Sequence, residues 1–160
     1  MKKYLLIKNF YIFIFIISIF TILSALYIEN IIGAQPCTLC KYQRLPYILS
    51  IFICLFGLKN VKNNFWIYLI AITFFLSFLL SGYHFGIENS IFPEFSLCNV
   101  DNLSILDKEL LLQSLSQVPQ NCKDVNFKVI GLSLATINVL ISIFILIISI
   151  TLIRNEKKNR

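Results

Sequence analysis

Charge is scarce in this chain. Only 14% of its 160 residues are Asp, Glu, Lys or Arg, while 58% are hydrophobic. A soluble domain carries about 25% charge, so the composition excludes that class, and a mean hydropathy of +0.79 points to a membrane protein. Internal repeats and Gly/Ser-rich linkers are absent, which leaves a single domain over residues 1–160. The net charge of +6 is not gathered into a basic stripe interleaved with aromatics, so no nucleic acid is expected as partner. Histidine is reduced to His84 alone, and none follows Cys40, which rules out the CxxCH pattern of haem attachment.

What is present is apolar and comes in four stretches: Phe10 to Ile28, Pro46 to Leu58, Phe65 to Phe85, and Val129 to Ile153. A membrane span needs about 20 such residues. The second stretch is short, and crosses only if its helix starts near Cys40 with Arg44 in the outer interface. The first is longer than a signal-peptide core and lacks a clean small-x-small cleavage site, so a permanent helix is expected. The reading is an all-α membrane protein, a bundle of four transmembrane helices at about 10–28, 42–58, 65–85 and 129–153. Nine of the fourteen basic residues fall at the two ends of the chain and in the loop between the second and third stretches. The positive-inside rule then puts both termini in the cytoplasm and the loops at about 29–41 and 86–128 outside. Lipid is the expected surrounding.

Five cysteines sort on this topology. Cys37 and Cys40 fall at the first outer loop, Cys98 and Cys122 in the second, and Cys54 sits alone among apolar residues, as a small buried side chain would. Two pairs on one outward face point to an oxidising compartment, the periplasm of a bacterium. Cys98 and Cys122 alone would pass for a structural bridge. Cys37-Thr38-Leu39-Cys40 closes too short a loop to be a framework staple, which favours redox exchange or metal binding. Zinc ribbons pair two tight CxxC units, whereas Cys98 and Cys122 stand far apart, so no metal is expected. Both sulfurs of the motif would lie near a helix N-terminus, which favours a thiolate. Arg44 follows at helical spacing on the same face, either to hold a thiolate or polar ligand atom, or to anchor the helix at the interface. His84, near the outer end of the third helix, is a functional candidate by its depth.

Three smaller features complete the reading. Gly131 and Ala135 form a small-xxx-small face in the fourth helix, expected to serve close helix packing. Pro46 is expected to disturb the second helix near its start. In the long outer loop, Ser104 and Asp107 open a weak capping signal. Leu103, Leu106, Leu110 and Leu115 mark a short amphipathic helix that Pro119 ends.

Pro36-Cys37-Thr38-Leu39-Cys40-Lys41-Tyr42-Gln43-Arg44 resembles the redox signature of the disulfide bond formation protein B (DsbB) family. Gly82-Tyr83-His84-Phe85-Gly86-Ile87-Glu88 and Ile130-Gly131-Leu132-Ser133-Leu134-Ala135 resemble two further segments of it. The resemblance implies a thiol oxidase of the bacterial inner membrane, using ubiquinone or menaquinone, that re-oxidises a soluble periplasmic DsbA-like oxidant. It implies that Cys98 takes the partner's thiolate as a mixed disulfide, that Cys122 resolves it, and that the pair is renewed by exchange with Cys37–Cys40. Cys40 would donate to the quinone, with Arg44 and His84 as cofactor contacts. The sequence departs from the family at Phe127 and Ile137, where tryptophans are usual; Trp66 is the only one. A vitamin K epoxide reductase-like enzyme would place its CxxC after the loop pair, and here it comes first. A non-enzymatic protein with structural disulfides would hold Cys37 and Cys40 closed against mild reductant.

Overall fold

In lipid every backbone N–H and C=O must bond within its own segment, so apolar runs of this length become helices. The computed structural model describes residues 2–93, 122–123, 128–129 and 131–158. In it α1 runs Lys2–Tyr27 and passes into a π-helical turn, Ile28–Ile32, that Gly33 closes with φ +77°. Two short helical segments follow in register, α2 (Thr38–Tyr42) and α3 (Leu45–Lys59). Next come α4 (Phe65–Glu88), the strands β1 (Lys128–Val129) and β2 (Leu132–Ser133), and α5 (Leu134–Lys158). Among the described residues four helical stretches are long and apolar enough to cross a membrane: Tyr4–Ile32, Thr38–Lys59, Phe65–Glu88 and Leu134–Lys158. The protein is an all-α, four-helix membrane protein, and its described residues include one small antiparallel strand pair.

Two sequence expectations need correction. The fourth helix does not start at Val129, and Gly131 is not on it. Val129 pairs with Leu132 and Lys128 with Ser133; Gly131 takes φ +80°, a left-handed conformation that side chains disfavour. The helix begins where the Ser133 hydroxyl accepts the Thr136 N–H at 3.1 Å, an N-cap that starts α5 at Leu134. Among the described residues nothing lies within 4 Å of a Cβ built on Gly131, so it serves a turn and not helix packing. Close approach occurs instead at Gly57, where a Cβ would meet the Tyr11 ring at 2.9 Å. The first helix also runs further at both ends than the apolar run alone indicated. The expected amphipathic helix around Leu103–Leu115 lies outside the described residues.

The core packs α4 against α5 and α1 against α3, with α3 touching α4. Tyr11, Ile14, Tyr47, Ile53, Ile67, Ile70, Phe74 and Ile145 fill it. Hydroxyls tie neighbouring helices together, Ser18 to Ser50 at 2.7 Å and Ser142 to Ser77 at 3.0 Å. Buried hydroxyls between helices are the usual polar contacts of such bundles. Outward stand Phe20, Leu23, Phe52, Leu76 and Ile147, all more than half exposed, a lipid-facing belt. Asn64 donates to Glu156 at 3.1 Å, so the short α3–α4 loop and the end of α5 share one end of the bundle. The dithiol lies at the other, about 36 Å away along the 24 residues of α4.

Candidate active site

Pro46 sits in the first turn of α3 and has no N–H to extend the preceding helix. The chain therefore breaks at Gln43 and Arg44, and α2 stands as a separate turn carrying the dithiol. Cys37 is its N-cap, in extended conformation (φ −64°, ψ 166°), and its sulfur accepts the Cys40 N–H at 3.2 Å. The Cys37 and Cys40 sulfurs are 2.7 Å apart, close to the bonding distance of about 2.0 Å. Cys37 is buried and Cys40 half-buried.

His84 rises from α4 beneath the pair, 2% exposed. Its Nε2 is 3.6 Å from the Cys37 sulfur and 3.7 Å from Glu88 Oε1. Its Nδ1 is 2.9 Å from the Gln43 amide nitrogen. Gln43 Oε1 accepts from the Asn138 amide of α5 at 3.2 Å, and Asn138 Oδ1 accepts from the Tyr47 hydroxyl. Glu88 Oε2 accepts from Ser133 at 2.5 Å, linking the N-cap of α5 to the same site. The side-chain hydrogen bond with Cys40 holds the Cys37 pKa well below the ordinary thiol value; burial opposes this, and the His84 hydrogen bond adds to it.

Of the sequence candidates, Cys37, Cys40, His84 and Cys122 come together. Cys122 is 2% exposed, is disulfide-bonded, and packs in one buried cluster with Cys37, Leu39 and Ile87. Cys98 lies outside the described residues. Arg44 is directed to Glu29, with Nη1 2.6 Å from Oε2. The π-helical turn of residues 28–32 swings Glu29 to meet it. Cys54 is fully buried in the apolar core, as expected. Gln43, Tyr47, Asn138, Glu88 and Ser133 escaped the sequence reading. A signal for Asn138 existed, as an amide deep in an apolar run is a functional candidate by default. Gln43 was hidden inside the motif as an apparent spacer.

Three soft donors within 4.8 Å of one another, Cys37, Cys40 and His84, raise the question of a metal. Two thiolates at about 2.3 Å from one zinc, spread at the tetrahedral angle, stand about 3.7 Å apart. The 2.7 Å between these sulfurs is too short for that and suits a pair that forms a bond.

The family model described as disulfide bond formation protein DsbB matches residues 7–152. The chain belongs to the DsbB family. The uncharacterized protein RP370 of Rickettsia prowazekii (strain Madrid E) is 31% identical over 150 residues, 90% of this chain and 86% of that protein. The SPbeta prophage-derived disulfide bond formation protein B of Bacillus subtilis (strain 168) is 28% identical over 82 residues, 51% of this chain and 55% of its own length. As a DsbB-family chain with four membrane-spanning helices, it is a multi-pass membrane protein of disulfide bond formation, with disulfide oxidoreductase activity.

Proposed function

We propose that this protein re-oxidises a soluble periplasmic DsbA-type oxidant and passes the electrons, through Cys98–Cys122 and then Cys37–Cys40, to a quinone of the bacterial inner membrane. The observation that carries the proposal is the gathering of Cys37, Cys40, His84 and Cys122 at one end of a lipid-exposed bundle.

The partner's thiolate attacks Cys98; that sulfur–sulfur bond forms as Cys98–Cys122 breaks, and Cys122 leaves as a thiolate. Balancing the bonds makes Cys122 the leaving group of this step and not its resolving nucleophile. The partner's second thiol then releases Cys98. Cys122 attacks Cys37, the Cys122–Cys37 bond forms as Cys37–Cys40 breaks, and Cys40 leaves as a thiolate. Cys98 closes back on Cys122 and frees Cys37, leaving the inner pair reduced. Cys40 takes the proton that Cys98 gives up on attack; the Cys37 thiolate then closes on the Cys40 sulfur, and two electrons and the Cys40 proton leave from Cys40.

A quinone fits this setting, because the half-buried Cys40 shares its cluster with apolar Leu80 and Tyr83, while the polar Gln43–His84 pair stands beside its partner Cys37. Arg44 would hold a ring oxygen in place of part of its pairing with Glu29. His84, whose two nitrogens face Gln43 and Cys37, would act through the Cys37 sulfur, and the quinone would supply a two-electron acceptor. The acceptor must be strong, since a DsbA-type oxidant lies near −120 mV, and every ~30 mV uphill costs about 1.4 kcal/mol for two electrons.

The test is quinone reduction by the purified protein with a reduced DsbA-type partner. Turnover by the wild type, lost in Cys98→Ser, is expected. Equal turnover in both would remove Cys98 as the entry point and sink the proposed order of exchange.

A further inference from the structure

We propose that Gln43, itself oriented by Asn138 and Tyr47, fixes His84 as the Nε2–H tautomer and so aims a permanent N–H donor at the Cys37 sulfur. Gln43, Asn138 and Tyr47 are then positioning residues, acting through His84.

The assignment follows from matching donors to acceptors. Tyr47 donates its hydroxyl hydrogen to Asn138 Oδ1, which leaves the Asn138 amide N–H to face Gln43 Oε1 at 3.2 Å. The Gln43 oxygen is thereby engaged, and its NH₂ is the group 2.9 Å from His84 Nδ1. An NH₂ has no lone pair to accept with, so Nδ1 must be the bare nitrogen. The ring proton then sits on Nε2.

The other side of the ring gives the same answer independently. Nε2 faces two acceptors, the Cys37 sulfur at 3.6 Å and Glu88 Oε1 at 3.7 Å. A proton on Nε2 donates to the sulfur and sets a positive edge toward the carboxylate, whereas a bare Nε2 would set its lone pair against both. All the members from Gln43 to Asn138 are at least 90% buried, so water does not compete to reorient them. An amide that turned over would oppose two donors to each other, at the cost of an unmade buried hydrogen bond, about 1–3 kcal/mol. Turning both amides together, with the Tyr47 hydroxyl accepting, would put the ring proton on Nδ1 and leave a bare Nε2 against the sulfur and the carboxylate, so the acceptors at Nε2 set the direction of the chain. Which nitrogen carries the proton is set by the bond the other makes.

The inference rests on reading Cys37–Cys40 as the redox pair, but its test does not need turnover. His84 is the only histidine, so ¹⁵N-histidine labelling of the full chain in detergent reports this ring alone. At neutral pH the wild type is expected to show a proton on Nε2 and a bare Nδ1. Gln43→Glu keeps the shape but offers Nδ1 an acceptor, and Nδ1 is expected to gain a proton. A merely structural Gln43 would leave the ring unchanged. A wild-type ring protonated at Nδ1, or a bare Nδ1 retained in Gln43→Glu, would overturn the proposal. The wild-type spectrum decides even if the variant fails to fold. Loss of quinone turnover with the expected ring state would count against the oxidase reading only.

Discussion

At Cys37 two physical effects oppose each other, and hydrogen bonding prevails. Burial alone raises a thiol's pKa, yet the Cys40 thiol, His84 and the Cys40 N–H all favour the thiolate. With its pKa depressed, Cys37 stays a thiolate below the usual thiol value of about 8.5 and gains its proton only as pH falls into the acid range. Alkylation of reduced protein, followed by peptide mapping, should therefore show Cys37 reacting at undiminished rate well below pH 8. The same sign governs stability: the reduced fold gains from the thiolate above the unfolded pKa and loses that gain as pH falls through the folded one. His84→Ala should slow Cys37 alkylation at pH 6 by about twofold, because a one-unit rise from about 5 takes the thiolate fraction from roughly nine-tenths to one-half. An unchanged rate would separate His84 from the sulfur. Glu29→Gln breaks a half-buried ion pair and should cost less than about 1 kcal/mol in thermal unfolding. At this scale the sequence singled out Cys37, Cys40, Cys122 and His84, which the structure brings together. It did not reveal Gln43 or Asn138, because their contact joins positions 95 residues apart and leaves no local periodicity.

The elements were legible where apolar length decided them and illegible where one or two residues did. α4 follows its apolar run closely, starting at Phe65 as expected and running to Glu88. α5 loses its first turn to Gly131 and Ser133, whose backbone roles hydropathy does not register. Gly131→Ala must hold a side chain in the left-handed region and should lower stability by about 1–2 kcal/mol. Ser133→Ala removes the cap of α5, about 1 kcal/mol, and also a hydrogen bond to Glu88. Thermal unfolding of each variant in detergent checks both values; no loss in Ser133→Ala would mean that the cap does not hold the start of α5. The break between α2 and α3 was foreshadowed by Pro46. Its consequence, a separate turn carrying the dithiol, needed the backbone hydrogen bonds from Gln43 to Leu39 and from Arg44 to Lys41.

Over the whole molecule, hydropathy and charge identify four spans but not which helices touch. Packing brings Cys122, from beyond α4, against Cys37, from before α3. In the proposed relay this proximity allows exchange, and Cys40→Ser should trap it. With Cys40 gone, the Cys37 thiolate attacks Cys122, forms Cys37–Cys122 and frees Cys98; peptide mapping without reductant should recover that bridge. The central claim is that electrons leave the thiols through Cys40. Its most direct test is quinone reduction by detergent-solubilised protein with a reduced partner, comparing wild type, Cys40→Ser and Cys54→Ser. The account predicts turnover in wild type and in Cys54→Ser, whose cysteine is buried far from the site in the apolar core, and none in Cys40→Ser. Wild-type turnover in Cys40→Ser would contradict it.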